Sequence, residues 1–262
     1  MHCLSHISAI VLLSCMAMSA TCGAQENGLS GDQIATDNGI LVIHPIHHAT
    51  FLIQWNGKTI YVDPVGGGKP FADLPKPYLV LVTHIHSDHF DPATVEALMP
   101  VGGQPTIIVP PAVAEKIPES LRGKTKVRVL TNGERTEAGG ITIKAVPAYN
   151  TTPAKEKFHP KGRDNGYVLT MGGKRVYIAG DTEGSAEMRT LKSIDIAFLP
   201  MNLPYTMSVA KAADAIWEFK PKIIYPYHYR SEDKTKADLE ELKRLVGAGS
   251  GVEVRIRDWY RE

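Results

Sequence analysis

The six residues His84-Ile-His86-Ser-Asp88-His89 carry four side chains able to bind a metal ion, in a chain with only 10 histidines. His84 and His86 are two apart, so an extended backbone points both to the same side. The chain must turn before Asp91, which swings Asp88 and His89 toward a second position nearby. Neutral imidazoles and carboxylates suit zinc and related divalent ions. A solvated polar loop would account for the polarity of this stretch but not for its density of ligands. The chemistry such a cluster supports is hydrolysis, because a divalent cation lowers the pKa of water to about 7 and stabilises charge developing on a substrate oxygen.

These ligands need elements to hold them. Directly before the motif, residues 78–83 (YLVLVT) form a continuous apolar run, as in a strand buried on both faces. Asp91 and Pro92 then open a helix over 93–98, as N-cap and first helical residue. Upstream, 50–55 and 58–63 are expected strands around Asn56-Gly57, a two-residue hairpin signal. Downstream, strands are expected at 106–109, 127–130 and 141–146, with a hairpin of 167–171 and 175–179 across Gly172-Gly173. The last part reads as a helix over 208–219 stopped by Pro221, a strand over 223–226, an amphipathic helix over 233–246 and a closing strand over 252–256. Hairpins interleaved with covering helices imply two mixed sheets packed together with helices outside.

The composition is that of an ordinary globular chain. At 262 residues and 43% hydrophobic content, disordered, collagen-like and coiled-coil readings are out. A balance of 29 basic against 28 acidic residues leaves no electrostatic footprint for nucleic acid or an anionic membrane. No repeat or low-complexity tract divides residues 40–262, which read as one domain. Residues 25–39 are polar and Gly-containing and read as a linker. Residues 1–24 lack Lys, Arg, Asp and Glu, and their apolar stretch is shorter than the roughly 20 residues a bilayer span needs. They read as a signal peptide cut near Ala24, which implies export, to the periplasm, with no transmembrane span in the mature chain. Leu12-Leu-Ser-Cys15 loosely resembles a lipoprotein processing site, so a lipid anchor at Cys15 is the variant of this reading. Cys3, Cys15 and Cys22 all lie in this segment, so cleavage after Cys22 leaves a chain without thiols or disulfides, whose metal must be held by His and carboxylates.

The motif at the end of a buried strand resembles the signature of the metallo-β-lactamase fold hydrolases. Later pieces follow in that family's order: Ile178-Ala-Gly-Asp181-Thr, Tyr225-Pro-Tyr-His228 and, earlier, Asp63 in Tyr61-Val-Asp-Pro64. His48-Ala-Thr-Phe-Leu-Ile53, Phe158-His-Pro-Lys161, Gly166-Tyr-Val-Leu169 and Thr206-Met207 resemble the branch of ascorbate-phosphate lactonase-like proteins and N-acyl-phosphatidylethanolamine phospholipase D relatives. The resemblance implies an α+β, four-layer αββα sandwich. It implies a metal site of Asp88, His89, Asp181 and His228, and another of His84, His86 and the shared Asp181. It further implies that Asp88 and Asp181 act in catalysis, Asp63 orients a ligating imidazole, and His48 bonds near the metals. The family supplies a further histidine at a strand end where this chain reads Val146-Pro-Ala-Tyr149-Asn150. Three outcomes are open: His159 folds in, Asn150 or Tyr149 gives an oxygen, or that site is weak or empty. The expected cofactor is Zn2+, one ion tight and a second weaker, with other divalent metals as alternatives. The expected reaction is attack of metal-activated water on an ester, lactone or phosphodiester bond of a small-molecule or lipid-like substrate. The rival readings are a catalytically silent metal-binding relative and an envelope zinc-handling protein. His44 and His47 are given no role.

Overall fold

Alternation sorts the apolar side chains of the first half onto two faces. Phe51 and Ile53 oppose Leu52, Ile60 and Val62 oppose Tyr61, and Leu79 and Leu81 oppose Val80. Strands that are apolar on both faces must be covered on both. The computed structural model, which describes residues 29–260, shows the two covers. Phe51, Ile60 and Leu81 pack into a central cluster with Ile143, Leu169, Ile178 and Phe198. Leu52, Tyr61 and Val80 face a separate cluster containing Val95, Leu98, Val113 and Leu121.

The first sheet runs in chain order through β1 (Asp32–Thr36), β2 (Gly39–His47), β3 (Thr50–Trp55), β4 (Lys58–Val62), β5 (Leu79–Leu81), β6 (Thr106–Val109) and β7 (Lys126–Val129). It is antiparallel as far as β4 and parallel from β4 to β7. The second holds β8 (Arg135–Ala138), β9 (Ile141–Ala148), β10 (Asp164–Met171), β11 (Lys174–Ile178), β12 (Ile196–Pro200), β13 (Ile223–Tyr227) and β14 (Glu253–Val254). It too changes from antiparallel to parallel, at β11. Helices α1 (Pro92–Leu98), α2 (Pro111–Ala114) and α3 (Glu119–Arg122) supply the outer cluster of the first sheet. Helices α4 (Ala186–Arg189), α5 (Val209–Phe219) and α6 (Leu239–Val246) add Met188, Ile216 and Leu242 to the larger cluster on the second. This is the expected α+β sandwich of two mixed sheets. Between the sheets Phe51 stacks on Phe198 at 4.3 Å and meets Trp259 edge-on at 5.5 Å. Such pairs add about 0.5–1.5 kcal/mol beyond burial alone.

Several local expectations hold. Asn56 and Gly57 turn the β3–β4 hairpin with φ of 47° and 69°, and Gly172 and Gly173 turn β10–β11 with 52° and 70°. Asp91 caps α1 by accepting from the Ala93 N–H at 3.1 Å. Others need correction. The segment 25–39, expected as a linker, contains β1, which pairs antiparallel with β2. Its Asp32 carboxylate accepts from Tyr225 Oη at 2.5 Å and Arg257 Nε at 2.9 Å, so an edge strand's polarity had the look of a linker. The helix expected over 233–246 starts only at Leu239, because Asp238 rather than Asp233 caps it, accepting from the Glu241 N–H at 2.8 Å. Asp233 instead closes a turn by accepting from the Thr235 N–H at 3.0 Å. The closing strand is two residues long, and β8 was not expected. Residues 1–24 lie outside the described residues. Among the described residues no helix is long and apolar enough to cross a membrane.

Candidate metal centre

Both sheets aim the carboxyl ends of their parallel strands at one place, the region where open α/β sheets bind ligands. Asp63 follows β4, Thr83 and the His84–His89 motif follow β5, Asp181 follows β11 and His228 follows β13. His48 lies in the turn between β2 and β3. Three of these non-glycine residues hold left-handed backbones: His48 at φ 56°, Asp63 at 44° and His228 at 47°. Such conformations cost of order 1–3 kcal/mol each and collect at functional sites. Gly180, at φ 66°, brings Asp181 close, since a Cβ there would lie 3.0 Å from Thr83 Cβ and 3.1 Å from the Asn165 carbonyl oxygen.

Asp181 is the centre of the arrangement. Its Oδ1 lies 3.4 Å from both His89 Nε2 and His228 Nε2, and its Oδ2 lies 3.5 Å from His159 Nε2. On the Oδ1 side, Asp88 Oδ2 is 3.4 Å from His228 Nε2, 3.9 Å from His89 Nε2 and 3.3 Å from His48 Nε2. On the Oδ2 side, His84 Nε2 and His86 Nδ1 face each other at 3.1 Å, with the His159 ring 5.0 and 4.9 Å from theirs. Three sets therefore bring ligand atoms within 4.8 Å of one another: His84, His86 and His159; His84, His89 and Asp181; and His48, Asp88 and His228.

The buried hydrogen bonds beneath this cluster fix which imidazole nitrogens face the centre. Asp63 accepts from the Thr83 N–H at 2.7 Å, from Thr83 Oγ1 at 2.7 Å and from His89 Nδ1 at 2.8 Å. The Thr83 hydroxyl has spent its proton on Asp63, so it accepts from His84 Nδ1 at 3.0 Å. Both His84 and His89 thereby turn Nε2 toward the centre, the orientation that carboxylate-backed imidazoles bring to a metal. His159 Nδ1 lies 3.4 Å from Asp164 Oδ2, and Asp164 is gripped by Arg163 through Nε at 2.7 Å and Nη2 at 2.8 Å. His89 Nε2 and Asp181 Oδ1 are buried without a hydrogen-bond partner. Buried polar atoms left facing one another in this way are costly unless a proton or a cation lies between them. The donor set, all imidazole nitrogen and carboxylate oxygen, fits a divalent metal.

The electrostatics show the same pull on positive charge, which without a metal is met by a proton on His89. Burial would lower the His89 pKa, but the carboxylates of Asp181, Asp88 and Asp63 outweigh it and push it up to about 10. Burial also opposes the charge on Asp181, yet the His228 and His89 imidazoles hold its carboxyl well below the usual range. Asp88 is lowered as well: burial opposes, and His89, His228 and His48 prevail. His84 falls well below the ordinary histidine value, first through burial and then through the neighbouring His89. The carboxylates thus stay charged, and positive charge is what they draw into the centre.

The structure decides where the unassigned donors stand. His159, from the loop between β9 and β10, is brought beside His84 and His86. The Tyr149 hydroxyl is turned to Glu187 Oε2 at 2.8 Å. Asn150 donates through Nδ2 to the carbonyls of Lys155 at 3.0 Å and Tyr205 at 2.7 Å, which ties down this loop, and its Oδ1 is buried without a partner. Glu183 fastens the same loop by accepting from the Thr151 N–H at 2.9 Å and the Thr152 N–H at 2.7 Å. Thr83, Asp164, Glu183 and Asn202, whose Nδ2 lies 3.2 Å from His228 Nε2, were not singled out from sequence. Only Thr83 and Glu183 had a signal, as polar residues flanking the ligand motifs at His84–His89 and Asp181.

A model of the beta-lactamase superfamily domain matches residues 42–228. A metal-dependent hydrolase of the UPF0173 group from Pyrococcus abyssi is 33% identical over 216 residues, covering 79% of this chain and 92% of that protein. A crystal structure assigned as a metal-dependent hydrolase from Parabacteroides distasonis superposes with a TM-score of 0.77 at 43% identity, over 89% of this chain and 100% of that one. Igni18, a metallo hydrolase from Ignicoccus hospitalis, shares the fold at a TM-score of 0.69 and 24% identity, over 84% of this chain and 96% of that one. With its motifs gathered at one edge of two packed sheets, the chain belongs to the beta-lactamase superfamily, among the metal-dependent hydrolases of the metallo-β-lactamase fold.

Proposed function

We propose that the protein is an exported, zinc-dependent hydrolase that cleaves an ester, lactone or phosphodiester bond in a small-molecule or lipid-like substrate. One observation carries this reading: two groups of imidazole and carboxylate donors meet at the two oxygens of Asp181. His84, His86 and His159 would hold a metal on one side, and Asp88, His89 and His228 on the other. A divalent metal so held supplies an electrophile for a substrate oxygen and makes water acidic enough to be a nucleophile at neutral pH. Asp181, buried, keeps the two groups in register. Asp88, whose side chain is 44% exposed, stands on the open side, where its carboxylate can take a proton from the attacking water. Asp63 and Thr83 hold His84 and His89 with their Nε2 atoms inward, where a metal would meet them.

The test is a screen of zinc-loaded protein over lactones, carboxyl esters, phosphodiesters and N-acylated phospholipids. Turnover of one class, abolished by a chelator and restored by zinc, is the expected result. No turnover of any class with the metal in place would leave the silent relative as the better reading. Export rests on the charge-free apolar start of the sequence. Protein recovered from the cell envelope is expected to begin near Gln25. An intact Met1 on soluble cytoplasmic protein would overturn export, and a lipid on Cys15 would select the anchored variant.

A further inference from the structure

His48 is tied down from four sides. Its N–H donates to the Trp259 carbonyl at 3.0 Å, and its own carbonyl accepts from the His228 N–H at 3.2 Å. Its ring lies 3.9 Å from the His228 ring, with Nε2 3.3 Å from Asp88 Oδ2 and Nδ1 3.0 Å from Tyr260 Oη. These contacts hold a non-glycine residue at φ 56°, a conformation that persists only where the surroundings over-determine it. Two of the four ties come from Trp259 and Tyr260, beyond the residues that the superfamily model matches.

The proton positions follow from counting donors. The Tyr260 hydroxyl accepts from the Arg230 N–H at 3.1 Å, so its own proton must go elsewhere. Among the described residues the one acceptor within reach is His48 Nδ1. Nδ1 therefore accepts a hydrogen bond from the Tyr260 hydroxyl and carries no proton of its own. A neutral imidazole then bears its hydrogen on Nε2, which points at Asp88 Oδ2.

We infer that Tyr260 is a positioning residue of the hydrolytic site: its hydroxyl fixes His48 in the Nε2–H tautomer, and His48 in turn donates to Asp88. The inference rests on the reading of Asp88 as the carboxylate on the open side of the reaction. The consequence is a half-exposed carboxylate held in one orientation, with Oδ2 kept against His228 and His89 although solvent competes for it. His48 is then a hydrogen-bond donor and not an additional metal ligand. That choice matters because its ligand atoms also fall within metal-binding reach of Asp88 and His228.

Tyr260→Phe tests this with little disturbance. It keeps the ring that packs edge-on against His47 at 6.1 Å and Tyr229 at 5.0 Å, beneath the Arg230 guanidinium at 4.5 Å. Nitrogen-15 NMR of the imidazoles in the zinc-loaded protein reads the tautomer directly, without any substrate. The wild type is expected to show His48 neutral with hydrogen on Nε2, and Tyr260→Phe to lose that single tautomer. On whichever substrate the screen identifies, kcat is expected to fall about 10- to 100-fold, with zinc content unchanged and KM within roughly twofold. Tyr229→Phe, which removes a nearby hydroxyl bonded to the Arg257 carbonyl at 3.1 Å and the Trp259 N–H at 3.4 Å but not to His48, is expected to change none of these readouts. A wild-type His48 protonated on Nδ1 or bound to zinc would overturn the inference. So would an unaltered tautomer in Tyr260→Phe, or a loss of activity that tracks a loss of zinc. If no substrate class is turned over, the reading of Asp88 fails, while the NMR arm still decides the tautomer.

Discussion

Asp181→Ala is expected to remove both metal ions and to lower kcat/KM at least about a thousandfold, about 4 kcal/mol in activation free energy. Among the described residues no other carboxylate is placed to serve both sides. Its Oδ1 faces His89 and His228, and its Oδ2 faces His159. Removing it also deletes a buried negative charge that helps raise His89 to about 10, so the imidazoles on both sides lose a counter-charge at once. Asp88→Ala is the contrasting variant. It removes a ligand from the His89–His228 side alone, so the ion beside His84 and His86 is expected to stay while turnover is lost. Elemental analysis of the folded variants, set beside their rates, checks the scheme. Near-normal turnover in Asp181→Ala, or two ions retained in it, would mean that the reaction is centred elsewhere.

What was legible in the sequence follows from where the information lies. The His84–His89 cluster could be read directly, because four ligands are contiguous and the strand before them is apolar on both faces. Asp181 and His228 were legible only by resemblance, since a Gly-Asp-Thr or a lone histidine specifies little alone. The layers were legible because hairpins interleave with helical stretches and the run at 78–83 is apolar on both faces, which demands covers on both. His159 was left open because the contacts that deliver it are distant in sequence: Asn150 reaches the Tyr205 carbonyl, and Glu183 holds Thr151 and Thr152. No local pattern encodes a loop fastened in that way. The edge strand β1 escaped for another reason. With no residue fully buried, and with Asp32 satisfied by Tyr225 and Arg257 far along the chain, it lacks the apolar alternation that marks a strand. Asp233 and Asp238 are equally good caps on paper, and only the turn closed by Asp233 decides between them.

His159→Ala is expected to convert a two-metal protein into a one-metal protein. With His159 present, the side built on His84 and His86 has three imidazoles and one oxygen of Asp181, as many donors as a tetrahedral zinc site uses. Without it three donors remain, and affinity falls with ligand number and geometry. The other side keeps Asp88, His89, His228 and Asp181, so one ion is expected to remain through dialysis. His84→Ala should match this result, and His228→Ala should instead free the ion beside Asp88. Asp164→Ala is expected to act in the same direction as His159→Ala but more weakly, about 10- to 100-fold in affinity for the second ion, because it removes only the carboxylate behind His159 Nδ1. Asn150→Ala separates the remaining alternative. Its amide nitrogen ties the loop to the Lys155 and Tyr205 carbonyls, so the variant is expected to lower thermal stability while both ions are kept. Two equally tight ions surviving His159→Ala, with one lost in Asn150→Ala, would transfer the role to the unpartnered Oδ1 of Asn150. Elemental analysis after dialysis reads the ion counts and a melting curve reads the stability, with no substrate needed.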